Sequence, residues 1–251
     1  MGKSKTKRDP LETTMSLGDH LEELRMRLLL ALAGLAICTI ISLGFARYII
    51  IFLERPYTNV MGEEKLQVLS LTEGFVSYVK IALITALVIS SPWVFYQLWM
   101  FVAAGLYPHE RRYVNIAVPF SAALFIAGAV FFILFVAPIS IGFLVKVNQW
   151  LGLRSDITFK NYITFVTTLM LVFGIAFQTP SAIFFLNQTG IVPLESLKKS
   201  RKYVILVIVI VAAMATPPDV ISQVTLAIPL YGLFELGILL CYFANRKKKS
   251  D

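Results

Sequence analysis

Uncharged apolar runs alternate along the chain with short segments that hold nearly all of its charge. Residues 28–46, 81–108, 113–145 and 161–194 carry no formal charge, nor do 203–218, 220–234 and 236–245. A bilayer core about 30 Å thick is crossed by roughly 20 apolar residues of helix, so these runs predict membrane spans. We place them at about 28–48, 75–97, 113–137, 161–188, 203–215 and 220–243. Ahead of the first run, Leu17, Leu21, Leu24 and Leu28 recur at helical spacing, with Asp19, Glu22, Glu23, Arg25 and Arg27 on the remaining faces. This is an amphipathic helix, opened by a capping box at Ser16 and Asp19, that runs along the membrane surface into span one. The expected organisation is a basic tail at 1–15, one six-helix membrane domain at 16–243, and a basic tail at 244–251. Residues 49–72, with Pro56 and Gly62, read as a polar loop, and 139–160 as an amphipathic one. Span five, at 13 residues, reaches only about 20 Å and falls short of the hydrocarbon thickness.

Composition agrees with this pattern. Hydrophobic residues make up 57% of the 251 and charged residues 15%, with a mean hydropathy of +0.75. The net charge of +8 does not indicate a nucleic-acid partner, because the basic residues sit at the ends of the apolar runs. Residues 1–27, 98–112, 189–202 and 244–251 together hold 16 of the 23 Lys and Arg. By the positive-inside rule, both termini and the two basic loops face the cytoplasm. The expected fold class is therefore an all-α polytopic membrane protein of six helices, N-in and C-in, with a short fifth and sixth span.

The sequence offers no catalytic apparatus. It lacks a phosphate-binding GxxxxGK[ST] loop, HExxH, CxxC and GxSxG. His20 and His109 are isolated, and Cys38 and Cys241 lie inside apolar runs, so neither a metal nor a cofactor is expected. What remains is a pair of carboxylates expected at the cytoplasmic face. Glu23 lies at the entry to span one and Glu110 in the loop between spans two and three. Each has an ordinary reading, Glu23 pairing with Arg27 one turn on and Glu110 neutralising Arg111 or Arg112. Each also has a functional reading, as acceptor of a ligand guanidinium in bidentate geometry. Lys80, Gln178 and Glu235 fall within spans. Gln178 lies deepest and suits either interhelical hydrogen bonding or ligand contact. A path of these three would mark a small-solute transporter or channel, the alternative reading.

Several blocks together resemble one family. His20-Leu21-Glu22-Glu23-Leu24-Arg25, Ser91-Pro92, Tyr96-Gln97-Leu98-Trp99 and Leu106-Tyr107-Pro108-His109-Glu110-Arg111-Arg112 are similar to motifs of the TatC proteins. Phe173-Gly174-Ile175-Ala176-Phe177, Thr216-Pro217-Pro218-Asp219-Val220 and Ala227-Ile228-Pro229 continue the match in order. The resemblance implies a non-enzymatic receptor subunit of the twin-arginine translocase in a bacterial cytoplasmic membrane, with several copies in a hetero-oligomer. Such a subunit binds twin-arginine (RR) signal peptides of folded cargo and recruits single-span TatA- and TatB-type partners for export driven by the proton-motive force. Carried onto this chain, it makes Glu23 and Glu110 the acceptors of the two arginines, with Arg25, Phe101 and Arg112 shaping the same site. It assigns Pro56 to the first periplasmic loop, and Thr216, Asp219 and Gln223 to the region that receives a partner helix. One departure is visible: many relatives carry Glu where this chain has Gln178, which leaves hydrogen bonding but removes a protonatable group.

Overall fold

A computed structural model describes residues 17–62, 66–105, 112–153, 156–215 and 220–250. Among the described residues the chain is helical apart from loops and one isolated β-bridge. The helices are α1 (Leu17–Met61), α2 (Glu73–Ala104), α3 (Arg112–Phe131), α4 (Ala137–Trp150), α5 (Phe159–Ala176), α6 (Thr179–Gln188), α7 (Leu194–Lys199), α8 (Arg201–Ala215) and α9 (Val220–Ser250). Ser16, half of the expected capping box, lies outside the described residues.

Three prolines shape these helices in different ways. Pro56 was expected in a polar loop but lies inside α1, which continues to Met61 and ends at Gly62, whose φ of 70° only glycine adopts freely. Pro56 cannot donate to the carbonyl one turn back. The helix persists because this stretch is packed: Leu53, Pro56 and Tyr57 are buried, and the Tyr162 hydroxyl donates to the Leu53 carbonyl at 2.5 Å. Pro138 acts on the helix before it. The turn Phe132–Val136 widens to a π-helix, and the Ala137 N–H bonds the Phe132 carbonyl, which absorbs the donor that Pro138 lacks. The chain then runs on as α4, so the expected loop at 139–160 is largely helix, with Ser140, Ile141 and Val145 on its buried face. Pro180, near the start of α6, separates that helix from α5 at Phe177 and Gln178.

Among the described residues, five helical stretches are long and apolar enough to cross a membrane: His20–Met61, Glu73–Ala104, Val114–Trp150, Phe159–Gln188 and Gln223–Arg246. Helix α8, with 15 residues, is apolar but extends only about 22 Å. In lipid the apolar effect gives helices little reason to associate, so close packing and interhelical hydrogen bonds must hold the bundle. The α3–α5 crossing supplies the packing. A Cβ at Gly128 would lie 2.7 Å from the Phe173 carbonyl oxygen, and one at Gly174 would lie 2.8 Å from the Phe125 ring. Phe132, Phe173, Ile163, Val166 and Leu169 fill the centre with no exposure above 0%.

Helices α1 and α2 form a long antiparallel seam held by side chains that reach backbone carbonyls. The Trp93 indole donates to the Leu30 carbonyl at 2.9 Å, and the Tyr78 hydroxyl donates to the Leu43 carbonyl. At the Glu73 end of this seam, two loops close on one another. Gln67 bridges in parallel to Thr158, with Gln67 N–H to the Ile157 carbonyl at 3.2 Å and Phe159 N–H to the Gln67 carbonyl at 2.8 Å. Glu73 clamps the pair: its carboxylate accepts from the N–H groups of Leu69 (3.0 Å), Ser70 (3.3 Å) and Lys160 (2.9 Å). Burial by itself would raise the pKa of this carboxyl. The three backbone donors and the Lys160 charge outweigh it and hold the group below its ordinary value.

Candidate functional site

The opposite end of the α1–α2 seam carries the Glu23 cluster. Glu23 and Arg27, one turn apart, lie on one face of α1, and Arg27 Nε donates to Glu23 Oε1 at 2.7 Å. The Arg27 Nη1 donates to Oε1 of Gln97, a buried residue of α2, at 3.2 Å. One turn earlier on α1, His20 stacks on Phe101 with ring centroids 4.6 Å apart. This places Phe101 beside the Glu23 turn. Arg25, two residues from Glu23 and so about 200° around the helix, is exposed and is not drawn into the Glu23–Arg27–Gln97 chain. Glu110 lies outside the described residues, as does the side chain of Arg112. In sequence, Glu110 lies five residues past Gly105 at the end of α2 and two before Arg112 at the start of α3.

A second polar group lies among α2, α3 and α6. The Trp99 indole donates to Ser121 Oγ at 3.0 Å, and the Ser121 and Ser181 hydroxyls are 3.0 Å apart. Gln178 Nε2 donates to the Ser121 backbone carbonyl at 2.9 Å. These side chains border a cavity of about 330 Å³ whose other walls, including Phe95, Leu98 and Val102, are apolar. Gln178 is thus both an interhelical tie and part of a cavity wall, so the two sequence readings of it are compatible. The residues missed from sequence are Gln97, Ser121 and Ser181. Each is a small or neutral polar residue within an apolar run, a pattern shared by many positions that face nothing polar.

Lys80 and Glu235, the other two polar residues singled out within the spans, are tied elsewhere. Lys80 donates to Thr164 Oγ1 at 3.2 Å. Glu235 accepts from Arg201 at 2.7 Å and from the Tyr231 hydroxyl at 2.7 Å. Each is tied to a different partner, and neither lines the Gln178 cavity. Gln223 Nε2 donates to the Val209 carbonyl at 2.9 Å, bracing α9 against α8. Thr216 and Asp219 lie outside the described residues.

An all-helical bundle of long apolar helices, with polar groups gathered at helix ends and in isolated interhelix ties, is a polytopic membrane protein. The family model described as Sec-independent protein translocase protein (TatC) matches residues 19–229. The chain is 37% identical over 235 residues to the Sec-independent protein translocase protein TatC of Helicobacter pylori strain J99, covering 94% of this chain and 92% of that protein. It is 36% identical over 237 residues to the protein of that name from Aquifex aeolicus, covering 94% and 98%. A crystal structure described as the twin arginine translocase receptor TatC superposes with a TM-score of 0.80 at 36% identity, covering 90% of this chain and 99% of that one. A second, in the detergent DDM, gives 0.81, also at 36% identity, and covers 88% and 98%. The chain belongs to the TatC family.

Proposed function

We propose that this chain is the receptor subunit of a twin-arginine protein translocase in a bacterial cytoplasmic membrane, with six spans and both termini in the cytoplasm. Five stretches long enough to cross and the short, apolar α8 support that count. The clustering of Lys and Arg on residues 1–27, 98–112, 189–202 and 244–251 supports the orientation. Residues 16–243 then form a single membrane domain. A small-solute path is not favoured, because Lys80, Gln178 and Glu235 serve three separate ties.

The observation that carries the receptor reading is the Glu23 carboxylate on the first turns of α1, beside Phe101. Among the described residues it is engaged by a neighbouring arginine, which a ligand arginine can replace. In our reading the RR pair of a signal peptide binds at Glu23 and Glu110, with Arg25, Phe101 and Arg112 shaping the surround. The peptide's apolar stretch then lies along the cavity of Phe95, Leu98 and Trp99. Single-span TatA- and TatB-type partners join through the region of Thr216, Asp219 and Gln223, and Pro56 shapes the surface on the far side of the membrane. Binding and recruitment of this kind involve no covalent chemistry. Glu110→Gln in purified chain is expected to weaken binding of an RR peptide towards that of its KK counterpart while leaving the thermal transition in place. Unchanged RR affinity would overturn the assignment.

A further inference from the structure

A second cavity, of about 580 Å³, opens between the α5–α6 junction and the α8–α9 pair, with walls that include Ala176, Thr179, Val207 and Phe234. On α8 it extends from Tyr203 to Val211, and on α5 and α6 from Val172 to Ile183. At 1.5 Å per residue these spans correspond to about 12–16 Å, the depth of one leaflet. Its walls are predominantly apolar along that depth, as an acyl chain requires.

The mouth of this groove is cationic. Tyr203 lines it, and Lys202 Nζ sits 5.0 Å from the Tyr203 ring centroid. Lys198, Lys199, Arg201 and Lys202 occur within five residues and all are exposed. Arg201 is committed to Glu235. Lys198 stands over the Tyr242 ring at 5.8 Å, Lys202 lies beside the groove-lining Tyr203, and Lys199 is exposed on the same short basic stretch.

We propose that this groove is a binding site for an anionic phospholipid, with acyl chain between α5–α6, α8 and α9 and phosphate at Lys199 and Lys202. The charge of the mouth selects an anionic over a zwitterionic headgroup, and the one-leaflet depth and apolar walls match an acyl chain. Gln223, implied in partner contact, is tied to the Val209 carbonyl and is not among the residues that line the groove. The site depends only on residence in a membrane and stands whether or not Glu110→Gln changes peptide binding.

The test is lipid retention by the purified full-length chain, measured by native mass spectrometry with dioleoyl phosphatidylglycerol and dioleoyl phosphatidylcholine as probes. Preferential retention of one phosphatidylglycerol is expected. K199Q/K202Q should reduce that retention about tenfold, since each basic residue near an anionic lipid surface contributes appreciably. V207W should abolish it by filling the groove, with A176F as a second filler should V207W unfold on thermal assay. Equal retention of the two lipids overturns the proposal. So does undiminished phosphatidylglycerol in a folded groove-filling variant, which signals headgroup attraction alone. Crosslinking of a single-span partner helix from position 207, with lipid absent, overturns it as well.

Discussion

The Glu23–Arg27 pair makes a quantitative prediction that separates a receptor carboxylate from a structural one. The two groups are 23–28% exposed and one helical turn apart. Pairs of this kind contribute about 0.2–1 kcal/mol. A hydrogen bond to a charged partner, of the kind a peptide guanidinium would form with Glu23, is worth about 1.5–3 kcal/mol. Exchange of Arg27 for a ligand arginine is therefore favourable. Glu23→Gln should weaken binding of an RR peptide by about 1.5–3 kcal/mol, or roughly 10- to 150-fold. Arg27→Gln should act in the opposite sense. It frees Glu23 from a competitor, at the loss of the bond to Gln97, so affinity is expected to rise by about 1.4- to 5-fold. The assay is fluorescence anisotropy of a labelled RR peptide titrated with each variant in nanodiscs, repeated with a KK peptide. If Arg27→Gln weakens binding as much as Glu23→Gln does, the pair serves to fix α1 on α2 and the acceptor role is refuted.

Three further outcomes follow from the packing and the polar ties. Ser121→Ala removes the acceptor of the Trp99 indole at a position where Trp99 is 8% exposed, and should cost about 1–3 kcal/mol; Ser181→Ala spares that bond and should cost nearer 0.6, the ordering being read by unfolding in mixed micelles. Gly128→Ala forces a methyl group against the Phe173 carbonyl and should destabilise by about 1–3 kcal/mol, whereas Gly44→Ala, with nothing within 4 Å of the new Cβ, should be neutral or slightly stabilising in the same assay. The Glu73 clamp should depend on pH with a definite sign. Its folded pKa lies below the ordinary value of 4.5, so its contribution is complete above that value and is lost as pH falls through the lowered one. Protection of the Leu69, Ser70 and Lys160 amides, taken relative to their intrinsic exchange rates, should fall on acidification in the native chain and be low at neutral pH in Glu73→Ala.

Apolar runs predicted the spans because hydrocarbon imposes a minimum length that few other environments require. The same signal misassigned 49–61 and 137–150, where helix continues through stretches containing charge and proline. Nothing in the local sequence around Pro56 says that Tyr162, more than a hundred residues away, will hold the Leu53 carbonyl. The family resemblance singled out Phe101, whose ring lies against His20 one turn before Glu23. Gln97 was not singled out. Its polarity mattered only once α2 had placed it opposite Arg27, a relation between helices that one-dimensional spacing does not encode.

The distribution of ties also bears on how such a bundle accommodates a peptide. Among the described residues, Glu23 and Arg27 at one end of the α1–α2 seam and Glu73 at the other bracket an interface otherwise joined by side chains on backbone carbonyls. The Glu73 end is braced by three backbone donors and a short bridge between loops, so moving it breaks several bonds at once. Among the described residues, the Glu23 end is held by one partly exposed ion pair, one stacked ring pair and one hydrogen bond to Gln97, each replaceable at small cost. Conformational freedom therefore concentrates where the candidate acceptor lies. The neutral Ser121–Ser181–Gln178 chain beyond it adjoins an apolar-walled cavity that suits a hydrophobic segment without burying an unpaired charge. One end of the seam can yield to a ligand while the other keeps the helices in register.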